Sequence, residues 1–336
     1  MSAAAGHRST IPVAIAGFGT YAPQKVLTNA ELEEILDTND EWITERTGIK
    51  QRRIVANDEC TSTMAIEAAA DAIKDAGLTP DDIDLLVMAT TTPDQLVPAA
   101  SAFVSDGLGL RCGSFDLNAA CAGFAYGLVI GSSMIAIGHR NVLVVGAETI
   151  SRFINYADRG TAILFGDGAG AAVLTRSNGD AGLLGWDLGC DGSAAHLIEI
   201  PVGGSRVPAS PETVAGTDHQ LHMQGNEVFR KAVRAVESSA LAALANAGVA
   251  AADIDLFVPH QANVRIVEAV IQRIGIPIER TVINISKYGN TSAASIPLAI
   301  GDALAEGRIR DGDLILLSGF GAGMTWASAV IRWGRS

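Results

Sequence analysis

The sequence predicts an α/β protein made of two similar halves, and three observations carry that prediction. First, a stretch repeats: Ala76-Gly77-Leu78-Thr79-Pro80-Asp81-Asp82-Ile83-Asp84-Leu85-Leu86-Val87 resembles Ala247-Gly248-Val249-Ala250-Ala251-Ala252-Asp253-Ile254-Asp255-Leu256-Phe257-Val258, half a chain later. Second, each copy follows a run (residues 62–75 and 224–246) whose apolar side chains recur at three- and four-residue steps, the period of a helix. Third, each copy then enters a short apolar run of the kind that strands buried on both faces show.

Taken in order, Gly77 and Gly248 are helix stops. The runs Asn141-Val142-Leu143-Val144-Val145-Gly146 and Asp313-Leu314-Ile315-Leu316-Leu317-Ser318 add a second matched pair of strands. Strands alternating with helices predict mostly parallel core sheets joined by crossover helices. The turn-rich Ser177-Asn178-Gly179-Asp180 divides the chain into halves of residues 1–178 and 179–336. Residues 117–138 carry no charge and are long enough to span a bilayer. Gly123, Gly127, Gly131, Ser132 and Ser133 instead fit a buried helix that approaches another backbone closely.

Composition narrows the function. With 336 residues, 48% hydrophobic and 18% charged, the chain supports a sizeable core and is not disordered. Its formal charge of −13 argues against nucleic acid or an anionic membrane as a partner; an acidic partner needs a local basic patch. Four Cys without a Cys-x-x-Cys pair read as reduced thiols. Met1 to Thr10 holds no apolar secretory core. Both point to the cytoplasm. The six His are scattered, with no metal-ligand spacing. Gly17-Phe18-Gly19-Thr20-Tyr21-Ala22 fits a dinucleotide fingerprint, but Pro23 and Lys25 follow where an apolar-periodic helix is needed.

Three short segments carry candidate chemistry. Cys121, in Asn118-Ala119-Ala120-Cys121-Ala122-Gly123-Phe124, follows a strand and opens the small-residue helix. A helix start favours thiolate, the nucleophilic form, although a small buried Cys is the competing reading. His260 lies directly after the strand Leu256 to Val258, where it is either a functional group or a satisfied core His. Asn290, in Lys287-Tyr288-Gly289-Asn290-Thr291-Ser292, sits beside a Gly that permits unusual backbone angles, and it also fits a plain N-cap run. Cys121 and Asn290 follow the two repeat copies at similar distances, so a pseudo-twofold relation between the halves predicts corresponding places for them.

Together, Ala-Ala-Cys121-Ala-Gly-Phe, Pro-His260-Gln-Ala-Asn and Gly-Asn290-Thr-Ser-Ala-Ala resemble the three signatures of the β-ketoacyl-acyl carrier protein synthase III family. Asn39-Asp40-Glu41-Trp42-Ile43, Phe165-Gly166-Asp167-Gly168-Ala169-Gly170 and Gly319-Phe320-Gly321-Ala322-Gly323 extend the resemblance over nearly the whole chain. The resemblance implies a thiolase-like fold of five layers, αβαβα, usually a homodimer. It implies that Cys121 takes the acyl group of an acyl-CoA, that His260 and Asn290 stabilise the enolate of malonyl-acyl carrier protein, and that no metal or redox cofactor takes part. The backbone N–H groups of Cys121 and Ala322 become a second oxyanion hole; the family often has Gly at the place of Ala322.

The same resemblance places the CoA adenine between Trp42 and Arg159, with Thr38 and Arg46 near its phosphates or ribose. Gly225, Asn226 and Phe229 then line the pantetheine arm's path. Arg230, Arg265 and Arg273 resemble a basic patch for the acidic carrier protein. Val97 stands where the family often has an aromatic residue that limits the partner subunit's acyl pocket, which predicts acceptance of longer or branched acyl groups. The rival readings are a related enzyme of polyketide, quinolone or ester metabolism and a non-catalytic partner subunit. A thiolase is disfavoured because residues 319–325 contain no second Cys.

Overall fold

The structure, a computed structural model, describes residues 10–335; the N-terminal segment read for a secretory signal therefore lies almost wholly outside the described residues. Nine strands form the two core sheets: β1 (Val13–Tyr21), β2 (Leu85–Ala89), β3 (Gly113–Leu117), β4 (Asn141–Glu148), β5 (Gly168–Arg176), β6 (Gly182–Cys190), β7 (Leu256–Pro259), β8 (Leu314–Gly321) and β9 (Thr325–Arg332). The main helices are α1 (Asp40–Thr47), α2 (Thr61–Asp75), α3 (Ala100–Leu108), α4 (Gly123–Ala136), α5 (Gly225–Ala247), α6 (Val264–Ile274) and α7 (Ser295–Ala305).

The first sheet has the order β1-β5-β4-β2-β3 and the second β7-β8-β9-β6. The duplication shows in this order, because β6, β9, β8 and β7 repeat the places of β1, β5, β4 and β2. The counterpart of β3 is reduced to one parallel bridge, Phe257 to Thr281. Strand direction is mostly shared: β2 pairs in parallel with β3 and β4, and β7 with β8. One strand in each sheet runs the other way, β5 in the first and β9 in the second, each antiparallel to both its neighbours.

Alternating side chains build the layers. On β2 and β4, Val87, Val142 and Val144 face inward to a central core, whereas Leu86, Met88, Leu143 and Val145 face outward to α2 and α3. In the second sheet, Ile315, Leu317 and Val258 join the same central core, and Leu314, Leu316 and Phe257 face α5 and α6. Helices α4 and α7 fill the central layer with Phe124, Leu128, Ile296 and Ile300. The result is five layers, αβαβα. In the uncharged run of residues 117–138, Leu117 ends β3 and Gly123–Ala136 form the 14-residue α4; among the described residues no helix is long and apolar enough to cross a membrane.

The glycines of the dinucleotide-like motif have a packing role. A Cβ on Gly17 would lie 2.1 Å from the Ala72 carbonyl oxygen of α2. Gly185 on β6 meets α5 in the same way, 2.5 Å from the Ala243 carbonyl oxygen and 2.4 Å from the Ala247 nitrogen. Both contacts are with backbone, which cannot rotate aside. Gly17→Ala and Gly185→Ala are each expected to destabilise the protein by about 1–3 kcal/mol, as overpacked cores do. Denaturant unfolding checks this, and unchanged midpoints in both variants would refute it.

Candidate active site

The two halves meet at matching turns. A short 3₁₀ turn, Ala120–Ala122, leads into α4, and its counterpart, Ser292–Ala294, leads into α7. Ala120 has φ +47° and Ser292 φ +48°, in otherwise rare backbone conformations. Asn118 Oδ1 accepts from the Ala120 N–H at 3.3 Å, and Asn290 Oδ1 accepts from the Ser292 N–H at 2.9 Å. The equivalence therefore pairs Asn118 with Asn290 and Ala120 with Ser292. Cys121 corresponds to Ala293 rather than to Asn290, a shift of three residues from the sequence expectation, because the turn rather than the polar residue is the conserved unit.

Cys121, His260 and Asn290 all line one cavity of about 1030 Å³. The cavity wall also takes in Trp42, Arg46, Gly225, Asn226, Phe229, Arg230, Arg265 and Ala322. Cys121 Sγ donates to Ser292 Oγ at 3.4 Å, and Ser292 Oγ donates to Glu148 Oε1 at 3.0 Å. Gly321 packs against the Cys121 backbone, where an added Cβ would stand 2.5 Å from the Cys121 nitrogen. Burial pushes the thiol up to about 12; the Ser292 hydroxyl offsets part of this and the Glu148 charge adds to it. Burial thus opposes the thiolate that a helix start favours.

His260 is 4% exposed, follows β7 and packs edge-on to Phe320 with ring centroids 5.9 Å apart. Its backbone N–H donates to the Ser318 carbonyl at 2.7 Å, and Gln261 pins the following loop through Pro259, Val282 and Asn284. Burial lowers the imidazole to about 3, so it is neutral at physiological pH. Asn290 is held by its backbone, which exchanges hydrogen bonds with Leu164 and Gly166. Behind that segment the buried Arg52 donates to the Ile163 carbonyl and to Asn29 Oδ1. Since Asn290 Oδ1 is occupied as an acceptor, its Nδ2 is the donor left for the cavity.

The other predicted residues separate into two groups. Arg159 and Arg46 both stack on Trp42, with Cζ 4.6 Å and 4.8 Å from the ring centroid. Arg159 also donates to the Asp37 carbonyl at 2.8 Å. Stacked surfaces sit about 3.5 Å apart, so a base entering between Trp42 and Arg159 has to displace the guanidinium. Thr38 and Arg159 lie outside the cavity wall, and the Thr38 hydroxyl is buried without a partner. Arg230 and Arg265 line the cavity, while Arg273, two turns along α6, is paired with Glu237 at 2.8 Å and lies outside it. Val97 is 81% exposed and is also absent from this chain's cavity wall.

Sequence reasoning missed Glu148, Ser292, Thr91 and Asn118. Ser292 and Asn118 were within reach, since superposing the two repeats sets both beside the turn that carries Cys121 or its counterpart. Glu148 is the acid that ends an otherwise apolar strand, the usual signature of a buried charge with a task. Among the described residues no group of three or more His, Cys, Asp or Glu is arranged to hold a metal ion.

The buried imidazole sets a pH dependence. In the unfolded chain it takes a proton below about 6.5, in the folded chain only near 3. Between those values the unfolded state holds more protons, so stability falls as pH falls, by up to about 1.4 kcal/mol per unit from this group. His260→Asn is expected to lose less stability than wild type between pH 6 and 4; parallel curves in denaturant titrations would refute this.

Comparison with known proteins places these features in a family. Residues 115–192 match the family described as 3-oxoacyl-acyl-carrier-protein synthase III, and residues 244–333 match its C-terminal part. The chain is 49% identical to a beta-ketoacyl-acyl-carrier-protein synthase III of Desulfitobacterium hafniense, over 97% of this chain and 99% of that protein. A solved synthase III of Thermus thermophilus superposes with a TM-score of 0.90 at 44% identity, covering 96% of this chain and all of that one. The priming β-ketosynthase of the R1128 polyketide pathway superposes with a TM-score of 0.88 at 36% identity, covering 96% and 97%. On its sequence, its five-layer fold and these relatives, the chain belongs to the β-ketoacyl-acyl carrier protein synthase III family.

Proposed function

We propose that the protein joins an acyl-CoA primer to malonyl-acyl carrier protein by decarboxylative Claisen condensation, yielding 3-oxoacyl-acyl carrier protein, CoA and CO2 and so initiating fatty acid synthesis in the cytoplasm. The observation that carries this reading is the convergence of Cys121, from the first half, with His260 and Asn290, from the second, on one cavity. Identity is 49% to the Desulfitobacterium hafniense synthase III against 36% to the polyketide relative, which favours primary metabolism.

The roles follow from chemistry. Cys121 attacks the thioester carbonyl and retains the acyl group as a covalent intermediate. The backbone N–H groups of Cys121 and Ala322 serve the oxyanion of that step. CoA then leaves and malonyl-acyl carrier protein takes its place. Loss of CO2 puts charge on the thioester oxygen, and the neutral His260 imidazole and the Asn290 amide donate to it; each such donor is worth about 3 kcal/mol. The carbanion attacks the acyl-Cys and releases product. The thioester and the malonyl carboxylate supply all the activation this sequence needs, so it calls for no metal or redox cofactor.

Trp42, Arg46, Arg159 and Thr38 receive the nucleotide end of CoA, with Arg159 swinging off Trp42 to admit the adenine. Gly225, Asn226 and Phe229 flank the pantetheine arm. Arg230 and Arg265, exposed at the rim, attract the acidic carrier protein that the overall charge of −13 would repel. Arg273 contributes at longer range from its pair with Glu237. A homodimer accounts for the exposed edge strand β3 and for Leu96 and Val97, 78% and 81% exposed. In that dimer Val97 closes the partner's acyl pocket, with room for longer or branched chains.

Incubation with acyl-CoAs of increasing length, followed by intact mass, tests the reaction. Wild type is expected to gain one acyl group that Cys121→Ser does not, and malonyl-acyl carrier protein is expected to clear it. No acyl adduct from any acyl-CoA would overturn the reading.

The rim is tested separately. Arg265→Glu is expected to reduce kcat/KM for malonyl-acyl carrier protein about tenfold or more while leaving acyl-CoA loading within about twofold, because a rim charge acts on encounter with a charged partner. Equal losses in both steps would remove Arg265 from the carrier-protein patch.

A further inference from the structure

Glu148 is a buried acid without a task in the chemistry above. We infer that Ser292 and Glu148 form the path by which the thiol proton of Cys121 leaves during acylation and returns when the sulfur is released. The inference rests on the reading that Cys121 is the acylated nucleophile and assigns the proton that this reading leaves unplaced.

The direction of the path is fixed by what surrounds Glu148. The backbone N–H groups of Thr91 and Thr92 donate to its carboxyl at 3.1 Å, and the hydroxyls of Thr91 and Thr92 lie at 3.0 and 2.5 Å. The carboxyl is therefore held by donors, and Ser292 adds its own hydroxyl hydrogen at 3.0 Å. With that hydrogen committed, the Ser292 lone pairs are what face Cys121, and the thiol donates to them at 3.4 Å. The chain of hydrogens runs one way, from sulfur to serine to carboxyl. The turn that carries Ser292 is pinned by Asn290 Oδ1, so the path and the proposed enolate donor share one rigid segment.

The steps balance. As Cys121 Sγ bonds to the thioester carbon, its S–H bond breaks, the proton passes to Ser292 Oγ, and the serine's own proton passes to Glu148 Oε1. Glu148 is then neutral, the form that its burial already favours. CoA leaves as thiolate and takes a proton from water. In the condensation, CO2 departs, the new C–C bond forms and the Cys121 thiolate is expelled. Glu148 then returns its proton through Ser292. The other titratable group near the thiol is His260, which is neutral; the charged residues of the cavity wall, Arg46, Glu199, Arg230 and Arg265, are all exposed. Ser292 touches the reacting sulfur and is a catalytic residue in this scheme, and Glu148 is a positioning residue that acts through it.

Ser292→Ala is the decisive variant, because its counterpart Ala120 shows that alanine adopts the same backbone conformation in this fold. Two readouts are taken on the full-length protein: the pH profile of Cys121 alkylation by iodoacetamide, located by peptide mass, and single-turnover acylation by acyl-CoA. The expected result is an alkylation profile moved to higher pH and acylation slowed about a hundredfold at neutral pH, the usual scale of a lost proton acceptor, with the deficit shrinking as pH rises. Unchanged or faster alkylation would mean that the serine only restrains the S–H, and would overturn the inference. Glu148→Gln is expected to slow acylation likewise. A folded Glu148→Gln that acylates at the wild-type rate would overturn the path beyond Ser292; if it does not fold, Ser292→Ala decides alone. Wild-type protein that is never acylated, yet shows the alkylation shift in Ser292→Ala, would overturn the proposed function and leave the proton path standing.

Discussion

Helices α4 and α7 begin against each other between two sheets, and the rest of the site depends on that contact. Each sheet is apolar on both faces, so each must be covered twice, and the only economical arrangement puts one shared helix layer between them. The turns that open the two helices then abut, Ala120–Ala122 against Ser292–Ala294. Cys121 comes from one turn and Ser292 from the other. Their hydrogen bond crosses the junction of the halves, so the halves have to dock before the sulfur has its environment.

Enclosure at that junction governs protonation more than local helix geometry does. The thiol is raised, the imidazole is lowered and the Glu148 carboxyl is raised, each with burial as the largest cause. All three are thereby pushed toward their neutral forms. At rest the thiol and the imidazole carry no charge, and the Glu148 carboxyl is met by the fixed donors of Thr91, Thr92 and Ser292. New charge appears as bonds form and break, where fixed N–H and O–H donors meet it without reorganising. The charged groups of the cavity wall stand instead at the exposed rim, where Arg230 and Arg265 remain hydrated.

Much of this was legible in the sequence because the signals were local. The aliphatic runs of β2, β4, β7 and β8 and the periodicity of α2 and α5 can be read without tertiary knowledge. The segments around Cys121, His260 and Asn290 each sit at a strand end or helix start. What escaped reading depends on what the fold brings together. The reversed β5 opens with Gly168-Ala169-Gly170-Ala171-Ala172, too small and featureless to announce a strand, and is fixed by its neighbours on both sides. Arg273 looked equivalent to Arg265 by charge, but the length of α6 carries it to Glu237. Arg52 carries no signal in the sequence, yet it is buried behind the loop that holds Asn290 and is held by the Ile163 carbonyl and Asn29 rather than by an acid. Burial lowers it only to about 10, so it keeps its charge there.

Duplication also explains why there is one site and not two. The position that is His260 after β7 corresponds to Ala89 at the end of β2, and the position that is Ser292 corresponds to Ala120. Cys121 corresponds in turn to Ala293, and only Asn118 and Asn290 are kept in common. Each half therefore supplies what its copy lacks: the Cys121 thiol and Glu148 from the first, the His260 imidazole and the Ser292 hydroxyl from the second. The shared asparagine has the same task in both, accepting the N–H two residues ahead and holding the turn at positive φ. That task is structural, which is why it survived in both halves while the chemical residues diverged. Both asparagines also reach the wall of the cavity, so each half brings the same turn-forming residue to the site.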